Sequence, residues 1–161
     1  MQLMHQHKAM LYKISRIYQD TAADRDDLLQ EMTLQLWLAF DSFRNESKFS
    51  SWMYRVALNT AIQFFKKQKR RPDSDRLPDT ADQLAASATE TEKDEQLVLL
   101  YKAVKQLNEI EKALVFLYME EQPYEEIAGS LGISEGNVRV RLNRVKTKLK
   151  EIVKNMSHEY R

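Results

Sequence analysis

The chain has 161 residues and a formal net charge of +1, from 25 Lys and Arg against 24 Asp and Glu, and it contains no cysteine. This length excludes a large multidomain enzyme, and the lack of cysteine excludes disulfides, thiolate catalysis and cysteine-ligated metal centres. With only three Gly and three Pro, the composition favours helices and argues against sandwiches, barrels and glycine-rich phosphate loops. We therefore predict an all-α protein.

Charge is distributed unevenly along the chain. Residues 1–71 carry 12 basic and 7 acidic groups (+5), residues 72–96 carry 2 and 8 (−6), and residues 97–161 carry 11 and 9 (+2). The middle segment contains Pro72 and Pro78 and few large apolar residues, which is typical of a flexible linker. The sequence thus predicts two small helical domains, residues 1–71 and 97–161, joined by an acidic linker over residues 72–96.

An acidic and apolar helix is predicted from about Asp26 to Phe40. Its apolar residues recur at helical spacing after an acidic start, which suits a helix N-terminus. Leu34 and Trp37 leave more apolar surface than a contact between two helices needs. The outward face is therefore either an ordinary solvated surface or a docking surface for another protein.

A polar loop and a second helix follow, between Phe43 and Arg71. We expect Ser50 or Ser51 to cap this helix, with an apolar face opposite a basic face that ends in residues 66–71. Aromatic rings interleaved with cations are typical of proteins that bind single-stranded nucleic acid, because bases stack on rings while cations follow the backbone.

Not every ring in this stretch needs such a role. For Phe43, Phe49 and Met53, burial in a small hydrophobic core is an equally good interpretation. Trp52 and Asn59, in contrast, are predicted on the polar side of the helix, which favours a contact with nucleic acid.

The sharpest feature of the sequence is a helix-turn-helix pattern. A short helix around residues 125–130, a tight turn through Gly132 and a long helix capped by Ser134 have the spacing of this motif. One face of the long helix is apolar, and the stretch from Asn137 to Lys154 contains seven Lys or Arg against a single acid, Glu151. The sequence thus predicts a positively charged helix that enters a DNA groove; the alternative is a solvated amphipathic helix of a bundle.

The N-terminal part of such a helix reaches base edges in the major groove. There Asn137 and Arg139 could read purines, and Val140 could contact a thymine methyl group. Cations farther along the helix would touch phosphates: Arg144, Lys146 and Lys148.

No residue pattern typical of an enzyme is present in the sequence. His5 and His7 without further ligands form a poor metal site, and Glu125 and Glu126 are explained by a helix N-terminus. We expect no catalysis and no cofactor. Because neither terminus resembles a targeting signal and no apolar run is long enough to cross a bilayer, we expect a cytoplasmic protein without membrane insertion.

Two segments resemble parts of one family. Residues 24–71, reading DRDDLLQEMTLQLWLAFDSFRNESKFSSWMYRVALNTAIQFFKKQKRR, resemble region 2 of bacterial sigma factors, and residues 124–149, reading YEEIAGSLGISEGNVRVRLNRVKTKL, resemble region 4. Because nothing between them resembles region 3, the chain is similar to the extracytoplasmic-function (ECF) group of the sigma-70 family. The resemblance implies a subunit that binds the RNA polymerase core and directs promoter-specific initiation.

The resemblance also implies roles for three groups of residues. Those matching the surface that binds the clamp helices of the largest polymerase subunit are Asp27, Leu28, Gln30, Glu31 and Leu34. Those matching the part that recognises and melts the −10 element are Arg44, Asn45, Ser47, Phe49, Trp52, Arg55, Asn59 and Lys66. Those matching the reader of the −35 element are Ser134, Asn137, Arg139, Val140, Arg141, Asn143, Arg144 and Lys148.

The resemblance also implies three further partners: promoter DNA, the flap region of polymerase and an anti-sigma factor. Members of the family are commonly held inactive by such an anti-sigma factor. Gln63 stands where family members often have an acid, and Asn137 stands where Thr is usual. The promoter sequences of relatives therefore cannot be transferred to this chain.

Two other functions compete with this interpretation. A helix-turn-helix regulator would bind an operator without polymerase, usually as a dimer on a palindrome. A helical adaptor would bind polymerase or another protein without reading DNA. The predicted docking helix and the −10-like loop argue against the regulator.

The linker generates the first testable prediction. We hypothesise that its charge of −6 imitates nucleic acid and holds the linker in a basic channel of polymerase. Replacing its eight acids by the matching amides should then lower the yield of promoter-specific run-off transcripts. An unchanged yield would contradict the hypothesis.

Overall fold

The computed structural model describes residues 7–44, 46, 48–70 and 92–159, with the backbone alone for residues 92–94. Within these ranges the chain is helical and contains no β-strand, and it divides into two compact units, Met1–Asp82 and Gln83–Arg161. The predicted all-α class with two helical domains is confirmed. No helix in these ranges is long and apolar enough to cross a membrane.

Among the described residues of the first unit there are three helices, and each of them packs against the other two. They are α1 (Lys8–Tyr18), α2 (Ala22–Ala39) and α3 (Phe49–Lys69), with a 3-10 turn over Phe40–Ser42 after α2. The centre of their shared core consists of side chains that are at most 1% exposed. These include Ile14, Leu28, Met32, Leu36, Met53 and Leu58.

Helix α1 is absent from the sequence-based prediction. Its buried residues, however, recur at helical spacing and could have revealed it: Met10, Leu11, Ile14, Ile17 and Tyr18. The helix supplies the third side of the bundle, so that α2 buries residues that a two-helix contact would leave exposed.

The predicted starts of α2 and α3 are both too late. Helix α2 begins at Ala22 because the Thr21 hydroxyl accepts a hydrogen bond from the Asp24 amide at 3.1 Å, a typical N-cap. Helix α3 begins at Phe49, after Lys48, which provides no side-chain cap. Ser51, one of the two expected caps, is instead a buried helical residue.

In the second unit, the part of the chain that the structure describes forms four helices: α4 (Glu92–Lys105), α5 (Glu109–Met119), α6 (Tyr124–Leu131) and α7 (Glu135–Glu159). Asn108 and Glu111 form a capping box at the start of α5, with reciprocal side-chain to backbone hydrogen bonds. Helix α7 packs against each of the other three. Because α4 begins at Glu92, the last five residues of the segment predicted as linker are helical.

The core of the first unit generates the second prediction. Leu28 is fully buried on α2, whereas Leu34 on the same helix is 49% exposed. Leu28→Ala should lower the free energy of unfolding by about 2–5 kcal/mol because it leaves a cavity, and Leu34→Ala should change it by less than about 0.5 kcal/mol. Both tryptophans of the chain, Trp37 and Trp52, lie in this unit.

Urea unfolding followed by tryptophan fluorescence therefore reports on the first unit. Equal midpoints for the two variants would contradict the assignment of Leu28 to the core.

Candidate nucleic-acid interface

The turn between α6 and α7 sets the angle of a helix-turn-helix. Gly132 ends α6 in the left-handed conformation, with φ 68° and ψ 33°, which glycine adopts without the steric cost that other residues incur. The Ile133 amide donates to the Ala128 carbonyl at 3.1 Å. The Ser134 hydroxyl then accepts from the Asn137 amide at 3.2 Å, which is the cap predicted for the long helix.

Helix α7 has one buried and one exposed face. Val138, Leu142 and Val145 are at most 2% exposed and belong to the core of the unit, which also contains Ile127 of α6. All eight residues predicted for −35 recognition are exposed, and they include Val140, whose apolar side chain is 47% exposed on the polar face. The structure thus presents these residues to solvent on one helix.

One edge of the exposed face lies beside α5. The Lys148 ammonium group pairs with the Glu111 carboxylate at 3.0 Å, and Arg141 and Arg144 line a cleft against the first turn of α5. Lys148 therefore contributes to holding α7 against α5 as well as adding positive charge to this edge.

The other edge carries two cation–π contacts. The Arg139 guanidinium lies 5.3 Å from the centre of the Tyr124 ring, and the Lys146 ammonium lies 4.1 Å from that of Tyr118. Sequence reasoning missed both tyrosines because each is far from its cation along the chain. Only the packing of α5 and α6 against α7 brings these pairs together.

Aromatic rings cluster where α2 leads into α3. Trp52 lies 5.3 Å from Phe43, 5.5 Å from Phe49 and 6.3 Å from Phe40, measured between ring centres. Trp52, Phe43 and Phe49 are half-buried, and Met53 is fully buried in the core. Trp52 lies on the same side of α3 as Arg55 and Asn59, as its spacing from them predicts, but its ring also packs within this cluster and is only partly exposed.

The other residues predicted for −10 recognition lie in different environments. Arg44, Arg55 and Asn59 are exposed, and Lys66 is half-buried. Asn45 and Ser47 lie outside the described residues. Arg55 and Asn59 are four residues apart on α3, so they project from neighbouring positions on the same side of that helix.

The predicted docking face on α2 needs one correction. Leu28 is fully buried, so it packs inside the unit and offers no contact to a partner. Asp27, Gln30 and Leu34 are exposed, and Glu31 is half-buried, where it accepts a hydrogen bond from Gln35 Nε2 at 3.1 Å.

Two grooves border this face of α2. A polar cleft between α2 and α3 is lined by Asp27, Glu31 and Leu34 on one side and by Asn59 and Gln63 on the other. An apolar groove between α1 and α2 is lined by residues that include Tyr12, Leu34 and Trp37. The residues predicted for polymerase contact therefore adjoin one of those predicted for −10 recognition.

Among the described residues, no three His, Asp or Glu side chains come together in a way that could hold a metal ion.

The profile of Sigma-70 region 2 matches residues 3–71, and the profile of Sigma-70 region 4 matches residues 97–149. The chain is 26% identical over 153 residues to the ECF RNA polymerase sigma factor SigM of Mycobacterium tuberculosis, covering 94% of this chain and 76% of the relative. It is 30% identical over 136 residues to the ECF RNA polymerase sigma-E factor of Escherichia coli K12, covering 78% and 71%.

Two solved structures have the same fold. The sigma factor RpoE of Bartonella quintana, solved with the anti-sigma factor NepR, aligns with a TM-score of 0.72 at 18% identity and covers 95% of both chains. CnrH, solved with the cytosolic domain of CnrY, aligns with a TM-score of 0.68 at 20% identity and covers 96% of this chain and 86% of its own.

The turn geometry generates the third prediction. Gly132→Ala should lower the stability of the helix-turn-helix by about 1 kcal/mol, because a residue with a side chain disfavours the left-handed backbone conformation. Gly136→Ala is the matched control: a Cβ there meets only Ser134 Oγ, at 3.9 Å, and alanine favours the helix. Hydrogen exchange of the Ile133 amide, measured by NMR, should speed up in the first variant and not in the second; equal rates would contradict this account.

Proposed function

Because the chain belongs to the ECF group of the sigma-70 family, whose members associate with RNA polymerase for promoter-specific transcription initiation, we propose that it binds the polymerase core and reads both promoter elements. Membership in the family confirms the resemblance described from the sequence. The observation that carries the proposal is that the region 2 match lies within the first helical unit and the region 4 match within the second. In the proposal, residues 1–71 bind core and the −10 element, residues 97–161 bind the −35 element, and the acidic segment between them links the two.

We assign −35 recognition to the exposed face of α7. A DNA major groove admits one α-helix, and its base edges are read by side chains near the helix N-terminus. Asn137 and Val140 lie there, with Asn143 and Arg144 on the following turns, and all four are exposed. Arg141 and Arg144 on one edge provide positive charge for the flanking phosphates, and Arg139 on the other edge lies near the helix N-terminus, where it can reach a base edge.

The −10 element is assigned to the aromatic cluster and the exposed face of α3. Melting exposes unpaired bases, and extruding a base costs a few kcal/mol that stacking and hydrogen bonds must offset. The half-buried rings of Phe49 and Trp52 offer their exposed parts for stacking, while Arg55 and Asn59 offer polar groups. Because these rings pack against one another, their positions are restricted before DNA binds, which lowers the ordering cost of binding.

Polymerase binding is assigned to the outward face of α2. This face combines exposed carboxylate and amide groups with a large apolar side chain, through Asp27, Gln30 and Leu34, a combination typical of protein interfaces. Trp37 extends the apolar area, since it is 58% exposed. The proposed partners are the clamp helices of the largest subunit for this unit and the flap region for the second unit.

The proposal includes no catalysis by the chain itself, since sigma factors in general are non-enzymatic initiation factors. It also includes a cytoplasmic location, where such factors meet polymerase. An anti-sigma factor is a further proposed partner, because both structural neighbours were solved with partner proteins, one of them named as an anti-sigma factor.

The fourth prediction tests this function by run-off transcription. Sigma-free core polymerase, incubated with genomic fragments, should produce discrete new transcripts only when the protein is added. Reversing the charge of Arg139 and Arg144 to Glu should abolish most of this signal, because it places two acids beside DNA phosphates.

The matched control reverses Lys150 and Lys154, which are exposed on the same helix and change the net charge by the same amount but lie beyond the groove-facing turns. This variant should retain most of the signal. If the native protein yields no transcripts, the proposed function is wrong, and if the Arg variant keeps its signal, the −35 assignment is wrong.

A further inference from the structure

A tyrosine outside the DNA-facing helix holds the arginine predicted to read a base. Tyr124 is the first residue of α6 and is half-buried, whereas Arg139 lies near the start of α7 and is exposed. Their separation of 5.3 Å between guanidinium carbon and ring centre is within the range at which a cation is attracted to a ring face.

This contact restricts an otherwise flexible side chain. An unrestrained arginine side chain samples many rotamers, and restricting it to one rotamer on binding costs free energy. This cost lowers the affinity for the correct base pair and thereby the difference in affinity between the correct and an incorrect base pair. The Tyr124 side chain is half-buried on α6, which packs against α7, so its ring has less freedom than the exposed arginine. The ring therefore holds the guanidinium at one edge of the DNA-facing surface before the helix enters the groove.

The same helix carries a comparable pair with a different expected consequence. Lys146 lies 4.1 Å from the Tyr118 ring, but it is farther along α7 and beyond the turns that reach base edges. A lysine presents a point charge that suits phosphates without geometric selection. A change at Tyr118 should therefore affect all DNA sequences alike.

We propose that Tyr124 is a positioning residue for base recognition: by stacking on Arg139 it aims the guanidinium at one base pair of the −35 element, so that α6 contributes to promoter choice through a residue that reads no base itself. The inference rests on the proposed −35 function. It extends that function by assigning part of the sequence preference to the Tyr124–Arg139 pair.

The fifth prediction is tested with holoenzyme assembled from the full chain and core polymerase. The template is a promoter identified by run-off transcription, and each base pair of its −35 element is varied in turn to measure the base preference at that position. Arg139→Ala should lower the preference at one base pair by about tenfold, the loss expected for a bidentate contact. Tyr124→Leu should lower the preference at that same base pair by about two- to fivefold, the worth of an exposed cation–π contact.

Three further variants separate positioning from other roles. Tyr124→Phe, which keeps the ring, should retain the native preference, and Tyr124→Met should behave like Tyr124→Leu, which guards against a folding defect of one variant. In the Arg139→Ala background, Tyr124→Leu should have no further effect on the preference. Tyr118→Leu is the matched control and should leave every base preference unchanged, although transcription from all promoters can fall together.

The inference is overturned if Tyr124→Leu and Tyr124→Met keep the native base preference, or if they change the preference at positions that Arg139→Ala does not affect. It is overturned as well if Tyr124→Phe loses as much preference as those two variants, because that result would point to a contact of the hydroxyl group with DNA. It is also overturned if Arg139→Ala alters no base preference. These results differ from failure of the proposed function, in which the native holoenzyme itself starts no transcript.

Discussion

Burial of the apolar stripe of α7 is the interaction on which the second unit depends. Val138, Leu142 and Val145 are almost completely buried, and α7 packs against α4, α5 and α6. Because successive residues of an α-helix are rotated by a constant angle, burying this stripe leaves the opposite face in solvent. The hydrophobic contact therefore determines which polar side chains form the surface that we propose for −35 recognition.

The edges of that face show how tertiary packing refines a surface that is already polar. On one side the ion pair between Lys148 and Glu111 joins α7 to α5. On the other side Arg139 and Lys146 form cation–π contacts with tyrosines of α6 and α5. Each exposed contact is weak by itself. Together they restrict long side chains that would otherwise sample many conformations, so that the positions of the charged groups are restricted in the unbound protein.

The first unit uses its core in a different way. Leu28, Met32 and Leu36 of α2 are buried in the bundle, which turns Leu34 and Trp37 outward. The outward residues adjoin the cleft that also contains Asn59, so the surfaces proposed for polymerase and for the −10 element are continuous. In the proposed function, such continuity would place both partners against one helical bundle.

The sequence by itself determined the helical class, the two-domain plan, the helix-turn-helix and the family, because periodicity, glycine and proline positions and local motifs are properties of neighbouring residues. It also placed the polar face of α7 correctly, since one buried stripe defines the opposite face. It failed for Leu28, which it placed on the docking face and which is fully buried in the bundle. Only the tertiary structure decided this burial, the half-burial of Trp52 in the aromatic cluster, and the pairings of Tyr124 with Arg139 and of Glu111 with Lys148, because each depends on contacts between different elements that meet only when the core forms.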